Sequence, residues 1–468
     1  MPRHRRSDRP ALSATMGLTV IRNADCIATM DDSRREIADG AIAWQDGIIV
    51  AVGPCTDLAR LIDAADTVID ARGCVITPGL VNTHHHLYQS LTRAVPRAAN
   101  ASLFGWLKCL YPIWAGYRPE DVFAATRLGL AELALSGCTL SSDHLYLFPD
   151  GVTLDDSIAA AATIGVRFHA TRGSMSVGAS AGGLPPDSLV EAEPAILNDT
   201  IRVIDRFHDP RDGAMVRVGV APCSPFSVSQ GLMRDSALLA RDKRVMLHTH
   251  LAEDADDVAF SLARFGCRPG QYADELGWTG PDVWHAHCVQ LDSSEIDLFA
   301  RTRTGVAHCP GSNCRLGSGI APLRQMVARG VPVGLGVDGS ASNDSGNLLL
   351  EARQAMLLQR VAGGAEAFDP RTALYIATRG GAEMLGRHDC GSLAAGKRAD
   401  LAVWDMGDLF SLGAWDKVAA LVLSPPPGAR DVFVEGAAVV RDGELACVSR
   451  AEIIADATRS LARLMADA

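Results

Sequence analysis

No stretch of the 468-residue chain approaches the ~20 consecutive apolar residues that a membrane-spanning helix needs. Cys-x-x-Cys is missing although there are 12 cysteines, and their scattered spacing offers no disulfide framework. Reduced thiols in a cytoplasmic enzyme are the expectation. Basic runs are absent beyond the first ten residues, and the net charge is -11 with a pI near 5.6. That balance gives phosphate no basic patch to meet, so neither a nucleic acid nor an anionic membrane is an expected partner. Lysine is scarce, occurring only at Lys108, Lys243, Lys397 and Lys417. The opening "MPRHRRSDRPALSATMG" is Arg-rich but lacks the apolar centre of a secretory signal. Residues 1–15 are read as a disordered extension, with the fold beginning near Met16.

What is present is an ordinary globular composition, 48% hydrophobic and 21% charged, in a chain longer than one core usually supports. The two ends resemble each other. "LTVIRNADCIATM" and "GAIAWQDGIIVAVG" alternate apolar and polar residues, the second about Asp46-Gly47, a hairpin dipeptide. "ADLAVWD" and "DVFVEGAAVV" do the same near Asp442-Gly443. Residues 16–76 and 391–450 are expected to combine into one small β-sandwich domain, with a C-terminal helix over 451–468.

Between them, over 77–390, apolar runs alternate with Ala/Leu-rich segments such as "PEDVFAATRLGLAELALSG". The candidate strands are "LVNTHHH", "CTLSSDH", "VRFHATR", "VRVGVAP", "RVMLHTHL", "VWHAHC", "GVAHCP" and "VPVGLGVD". Eight strand-helix units predict an α/β fold, a (β/α)8 TIM-type barrel. The polar residues fall at one place within those runs. His84 and His86 end the first, Asp143 and His144 the second, His250 the fifth, His287 the sixth, Cys309 the seventh and Asp338 the eighth. In a barrel all of these lie at the C-terminal face, where active sites of this fold are built.

In "NTHHH" the period of a strand sends His84 and His86 to one side and His85 to the other, as packing or surface. Two such imidazoles can chelate one divalent ion. His248 and His250 repeat the arrangement in "HTHLAED", with Glu253 one turn later, and His285 and His287 repeat it again in "VWHAHCVQLD". Asp338 in "GLGVDGSASND" is either a turn former or a metal-binding or basic carboxylate. Zinc accepts imidazole and carboxylate, and a catalytic site keeps one position open for water, whose pKa falls to about 7 on the ion. That is what hydrolysis needs.

Together "PGLVNTHHH", "HTHLAE", "HAHCV", "HCPGSNCRLGSGIAP" and "GLGVDGSASND" resemble the amidohydrolase superfamily, in its branch of metal-dependent purine and triazine deaminases. The resemblance runs from about residue 17 to 450 and includes "GSLAAGKRADLAVWD". It implies a metal bound by His84, His86, His250 and Asp338. Glu253 would shuttle protons to the ring and the leaving amine, His287 would orient the hydroxide or oxyanion, and Asp338 would serve as second base. Relatives with two metals bridge them by a carboxylated lysine on the fourth strand. "VRVGVAPCSPFS" has no lysine, so one divalent ion per chain is expected, zinc first, with iron or manganese accepted by the same ligands.

The segments "HLYQSLTRAVPRAANASLFGWLKCLYPIW", "SSDHLYLFP" and "ATRGSMSVGASAGGLPPD" look most like the 8-oxoguanine deaminases of that branch, followed by hydroxyatrazine aminohydrolases and guanine deaminases. Hydrolysis of a cyclic amide or an N-acyl amino acid is the alternative from another reaction class. Gln89 stands where similar enzymes read a purine edge with an amide, which offers both donor and acceptor. Trp106 and Tyr111 wall a flat heterocycle or belong to a helix core. Arg172 meets a ring carbonyl or forms a salt bridge at the barrel mouth, and Asn313 is a further substrate candidate. The expected partner is a small heterocycle, and barrels of this kind often pair into homo-oligomers.

Overall fold

The computed structural model describes residues 17–467; the Arg-rich opening read as a disordered extension lies outside them. Five strands precede the barrel: β1 (Thr19–Ala28), β2 (Glu36–Gln45), β3 (Ile48–Pro54), β4 (Thr67–Asp70) and β5 (Cys74–Pro78). The next eight are β6 (Leu80–Asn82), β7 (Cys138–Leu145), β8 (Arg167–Ser174), β9 (Val216–Pro222), β10 (Leu247–Leu251), β11 (Val283–His287), β12 (Gly305–His308) and β13 (Val333–Leu335). They close in chain order with every neighbour parallel, and Leu335 opposite Asn82 completes the ring. These are the eight runs picked out from the sequence. β7 and β8 are buried at every position, as strands are when helices cover a parallel sheet.

The chain ends meet through β14 (Leu401–Asp405), which lies antiparallel on β5, and β15 (Asp431–Val434), β16 (Ala437–Arg441) and β17 (Glu444–Leu445) extend that edge. β1 forks the sheet. It pairs with β2 along one side, and with β4 and then β5 along the other. The two ends share one apolar core, with Ile21, Ile42, Ile76, Leu401, Val403 and Phe433 among its residues, as a sandwich would. Their strands are nevertheless joined in a single branched nine-stranded sheet.

Both Asp-Gly pairs make the expected two-residue hairpins. Asp46 and Gly47 have φ of 50° and 76°, and Asp442 and Gly443 have 49° and 75°, the left-handed pair that matches strand twist. The terminal domain is tied to the barrel by Arg167. Its guanidinium grips the Asp400 carboxylate at 2.6 and 2.9 Å, with both side chains buried, the bidentate geometry in which such a pair is strongest.

Candidate metal centre and active site

Three imidazoles and one carboxylate converge at the C-terminal mouth, and backbone carbonyls decide which nitrogen of each ring faces inward. His86 Nδ1 donates to the carbonyl of His144 at 2.8 Å, and His250 Nδ1 donates to that of Cys223 at 2.6 Å. His84 is held through one intermediary. His248 Nδ1 donates to the Trp284 carbonyl at 2.9 Å, which leaves His248 Nε2 as an acceptor for His84 Nδ1 at 2.8 Å. Burial lowers the pKa of all four rings, so they are neutral and each carries one proton. The inward Nε2 atoms of His84, His86 and His250 are therefore lone pairs.

Those lone pairs face one another and a carboxylate. His86 Nε2 lies 3.0 Å from His250 Nε2, and Asp338 Oδ1 lies 3.2 Å from His84 Nε2 and 3.3 Å from His86 Nε2. Among the described residues no donor reaches His84 Nε2 or Asp338 Oδ1, although both are buried, while Asp338 Oδ2 accepts from Ser342 Oγ at 3.1 Å. Four acceptors gathered without a proton between them are costly unless a cation sits among them, and nitrogen with carboxylate oxygen is a donor set that zinc accepts. His144 joins the same knot. It stacks on His250 with centroids 4.9 Å apart, donates Nε2–H to the Ala221 carbonyl and leaves Nδ1 unpartnered.

The backbone at the strand ends is bent to achieve this. Ala252, His287, Cys288 and Asp338 all have positive φ, from 51° to 70°, a conformation that non-glycine residues hold only when the surroundings compel it. The bend corrects the expectation for "VWHAH". His250 pairs with Ala286 in the parallel β10–β11 ladder, so alternation sends His285 away from the centre. There it donates Nε2–H to the Trp278 carbonyl at 2.9 Å and packs on Phe299. His287 would follow it outward, and the φ of 70° turns it back toward the mouth.

His287 Nδ1 donates to Asn313 Oδ1 at 3.0 Å. Its Nε2 then stands between two carboxyls, 3.6 Å from Glu253 Oε2 and 3.9 Å from Asp338 Oδ2. Glu253 is buried. Burial, then the charge of Asp338, push its carboxyl well above the usual range, so it can hold a proton at neutral pH. The cleft above these groups is lined by Gln89, Trp106, Tyr146, Phe226, Glu253 and His287, among others. Gln89 Oε1 has no donor among the described residues, and the Trp106 indole donates to the Ala341 carbonyl at 3.1 Å.

Three other candidates are placed elsewhere. Tyr111 is buried beside Trp114, with its hydroxyl 3.8 Å from Met175 Sδ, and does not line the cleft. Arg172 is consumed by a bidentate pair with Glu191, a bond to Asp199 and the ring of Phe148, so the salt-bridge alternative describes it. Asn313 acts behind His287 instead of on the cleft wall. Reasoning from the sequence did not single out Tyr146, Phe226 or Ser342, and it named His248 only as the strand mate of His250, without its role behind His84. His248 had a signal in the "HTH" repeat, but its link to His84 crosses 164 residues.

A closed parallel barrel whose mouth gathers four cation-seeking acceptors beside a proton-holding carboxyl defines a metal-assisted hydrolase. The chain belongs to the amidohydrolase family, whose pattern matches residues 75–439, and it is a hydrolase of carbon–nitrogen bonds. It is 47% identical to an 8-oxoguanine deaminase of Pseudomonas aeruginosa over 94% of this chain and 97% of that one. It is 38% identical to a hydroxydechloroatrazine ethylaminohydrolase of a Pseudomonas species over 80% of each chain. Among solved structures, a zinc complex of an atrazine chlorohydrolase from Arthrobacter aurescens superposes with a TM-score of 0.90 at 34% identity, covering 95% of this chain and 100% of that one. An adenosine deaminase from Xanthomonas campestris with bound zinc gives 0.88 at 28% identity, covering 96% and 98%.

Proposed function

We propose that the protein is a hydrolytic deaminase of an oxo-purine, converting 8-oxoguanine and water to urate and ammonia with one zinc ion per chain. The observation that carries this reading is the buried Glu253 carboxyl, 3.6 Å from His287 and beside the four converging acceptors. Deamination needs a proton delivered to a ring nitrogen and then to the departing amine, and a carboxyl kept neutral by burial is suited to both transfers. The 47% identity to an 8-oxoguanine deaminase supports the choice of ring.

His84, His86, His250 and Asp338 would hold a divalent ion, which when bound would supply the Lewis acidity that makes water nucleophilic near neutral pH. Asp338 Oδ2, steadied by Ser342, takes the proton that the water gives up. His287, oriented by the bond from its Nδ1–H to Asn313, turns the Nε2 lone pair to accept from the O–H that adds to the ring. Gln89 offers its free Oε1 to a lactam N–H and its amide N–H to a ring acceptor, while Trp106 lies against the flat face. Leu103, Trp106 and Leu107 on helix Leu103–Trp114 form the apolar part of the cleft wall with Phe226 and Leu316.

The test is a substrate panel on the metal-loaded protein: 8-oxoguanine, guanine, isoguanine and hydroxyatrazine, with ammonia measured as product. Preferred turnover of 8-oxoguanine with urate appearing in step is expected. Negligible 8-oxoguanine turnover beside rapid hydroxyatrazine turnover would reject the assignment, and turnover without ammonia would reject deamination itself.

A further inference from the structure

We propose that the protein binds a small organic anion, a carboxylate or phosphate ester with an apolar body, in a cavity at the N-terminal end of the barrel, opposite the mouth. Gly305 and Val333, the first residues of β12 and β13, form part of its wall. Its volume is about 670 Å³, within the range of small-molecule sites. The chemistry of this fold is built at the other end, so the cavity is separate from the centre described above.

The cations of the cavity come from segments far apart in the chain. Arg34 enters from the turn between β1 and β2, Arg303 from the end of helix Ser293–Thr302, and His388 from the stretch after helix Gly381–Met384. Among the described residues neither guanidinium has a carboxylate or a hydrogen-bond partner, although a chain with a net charge of -11 has acids to spare. The carboxylate on the wall is already taken. Glu383 accepts from Arg379 Nε at 2.7 Å and from the Tyr375 hydroxyl at 3.1 Å. The two arginines therefore leave the cavity positive, and a wall of one sign draws in a ligand of the other.

Both arginines are held where they stand. The Arg34 guanidinium carbon lies over the Tyr375 ring, 4.3 Å from its centroid, a cation–π contact that restrains the side chain before a ligand arrives. Arg34 and Arg303 have φ of 49° and 59°, a region that glycine enters freely and a residue with a side chain does not. Arg303 closes helix Ser293–Thr302 at the position where glycine is the usual choice. A guanidinium is thus kept at both places against the local preference of the backbone.

The floor is apolar. Val327, Val331, Ile376 and Met384 line it, which suits the body of an organic ligand and gives inorganic phosphate nothing to cover. Ile376 and Gly380, also on the wall, begin and end a single π-helical turn. Wide turns of this kind recur at functional sites.

The experiment is calorimetric titration of the full metal-loaded chain with benzoate and with phenyl phosphate, beside benzamide as the uncharged counterpart. Saturable binding of the anions is expected, about 10-fold or more tighter than that of benzamide and weakened by salt. The tighter of the two anions identifies the ligand as a carboxylate or a phosphate ester. Arg34→Ala combined with Arg303→Ala should weaken the binding about 10-fold or more, with turnover and the unfolding midpoint kept, and Arg34→Lys combined with Arg303→Lys should recover part of the loss. Unchanged binding in the alanine pair would place the anion on the metal at the mouth and overturn the proposal. Benzamide bound as tightly as benzoate, or no saturable binding of either anion, would overturn it as well; none of these results bears on the deaminase reading.

Discussion

His248 Nε2 accepts a hydrogen bond from His84 Nδ1 at 2.8 Å, and its own Nδ1–H is spent on the Trp284 carbonyl. That relay keeps the lone pair of His84 Nε2 aimed at Asp338 Oδ1, 3.2 Å away. His248→Phe removes the acceptor and frees His84 to rotate or change tautomer. Zinc affinity, measured by competition with a chelator, is expected to fall 10- to 100-fold. His248→Gln, which can still accept, should recover part of the loss. Unchanged affinity in His248→Phe would show that His84 is held by packing alone.

Glu253 carries no ligand atom in the acceptor cluster, so its removal should separate chemistry from metal binding. Glu253→Gln keeps the size and loses the transferable proton. Turnover is expected to fall by a factor of about 10² to 10⁴ while metal content stays at the wild-type value. Activity within a few-fold of wild type would shift the proton-transfer role to another group.

Arg172 is expected to matter for stability and not for substrate choice. Arg172→Ala leaves Glu191 without its cation, leaves Asp199 with Arg202 alone, and uncovers Phe148. A loss of about 2 to 4 kcal/mol is expected, read as a lower unfolding midpoint. The ratio of kcat/KM between 8-oxoguanine and guanine should stay the same, and a changed ratio would return Arg172 to the cleft.

Asp257 makes the stability depend on pH in a direction opposite to ordinary acid denaturation. Burial raises its carboxyl to about 7 from an unfolded value of 3.8. Below pH 3.8 both states are protonated. Between there and 7 only the unfolded state ionises, so stability falls as pH rises, and the penalty is complete above 7. A shift of this size amounts to about 4 kcal/mol at most. Asp257→Asn is neutral in both states and can still accept from the Glu253 amide, as Asp257 Oδ2 does at 3.1 Å. It should therefore unfold later than wild type at pH 8 and at nearly the same point at pH 4. Equal offsets at both values would place the group's titration elsewhere.

The barrel was legible because its strands are short apolar runs separated by helix-forming segments, and this alternation survives without tertiary help. The mouth was legible for a related reason: His84, His86, His250 and Asp338 each stand where an apolar run ends, and the closed sheet brings those ends together. Strand period alone misled at His285 and His287, where a single left-handed residue reverses the facing. It could not separate Trp106 from Tyr111 either. Both lie on helix Leu103–Trp114, and only packing shows that one meets the cleft and the other Met175.

By itself, then, the sequence determined the residue types, their spacing and their place at the ends of eight strands, since periodicity and composition are local properties of the chain. Tertiary structure alone decided that the four atoms can receive a cation. A histidine offers its inward nitrogen only if the other one is occupied, and the groups that occupy them, the carbonyl of His144 on β7, that of Cys223 just past β9 and the ring of His248 on β10, come from parts of the chain far away in sequence.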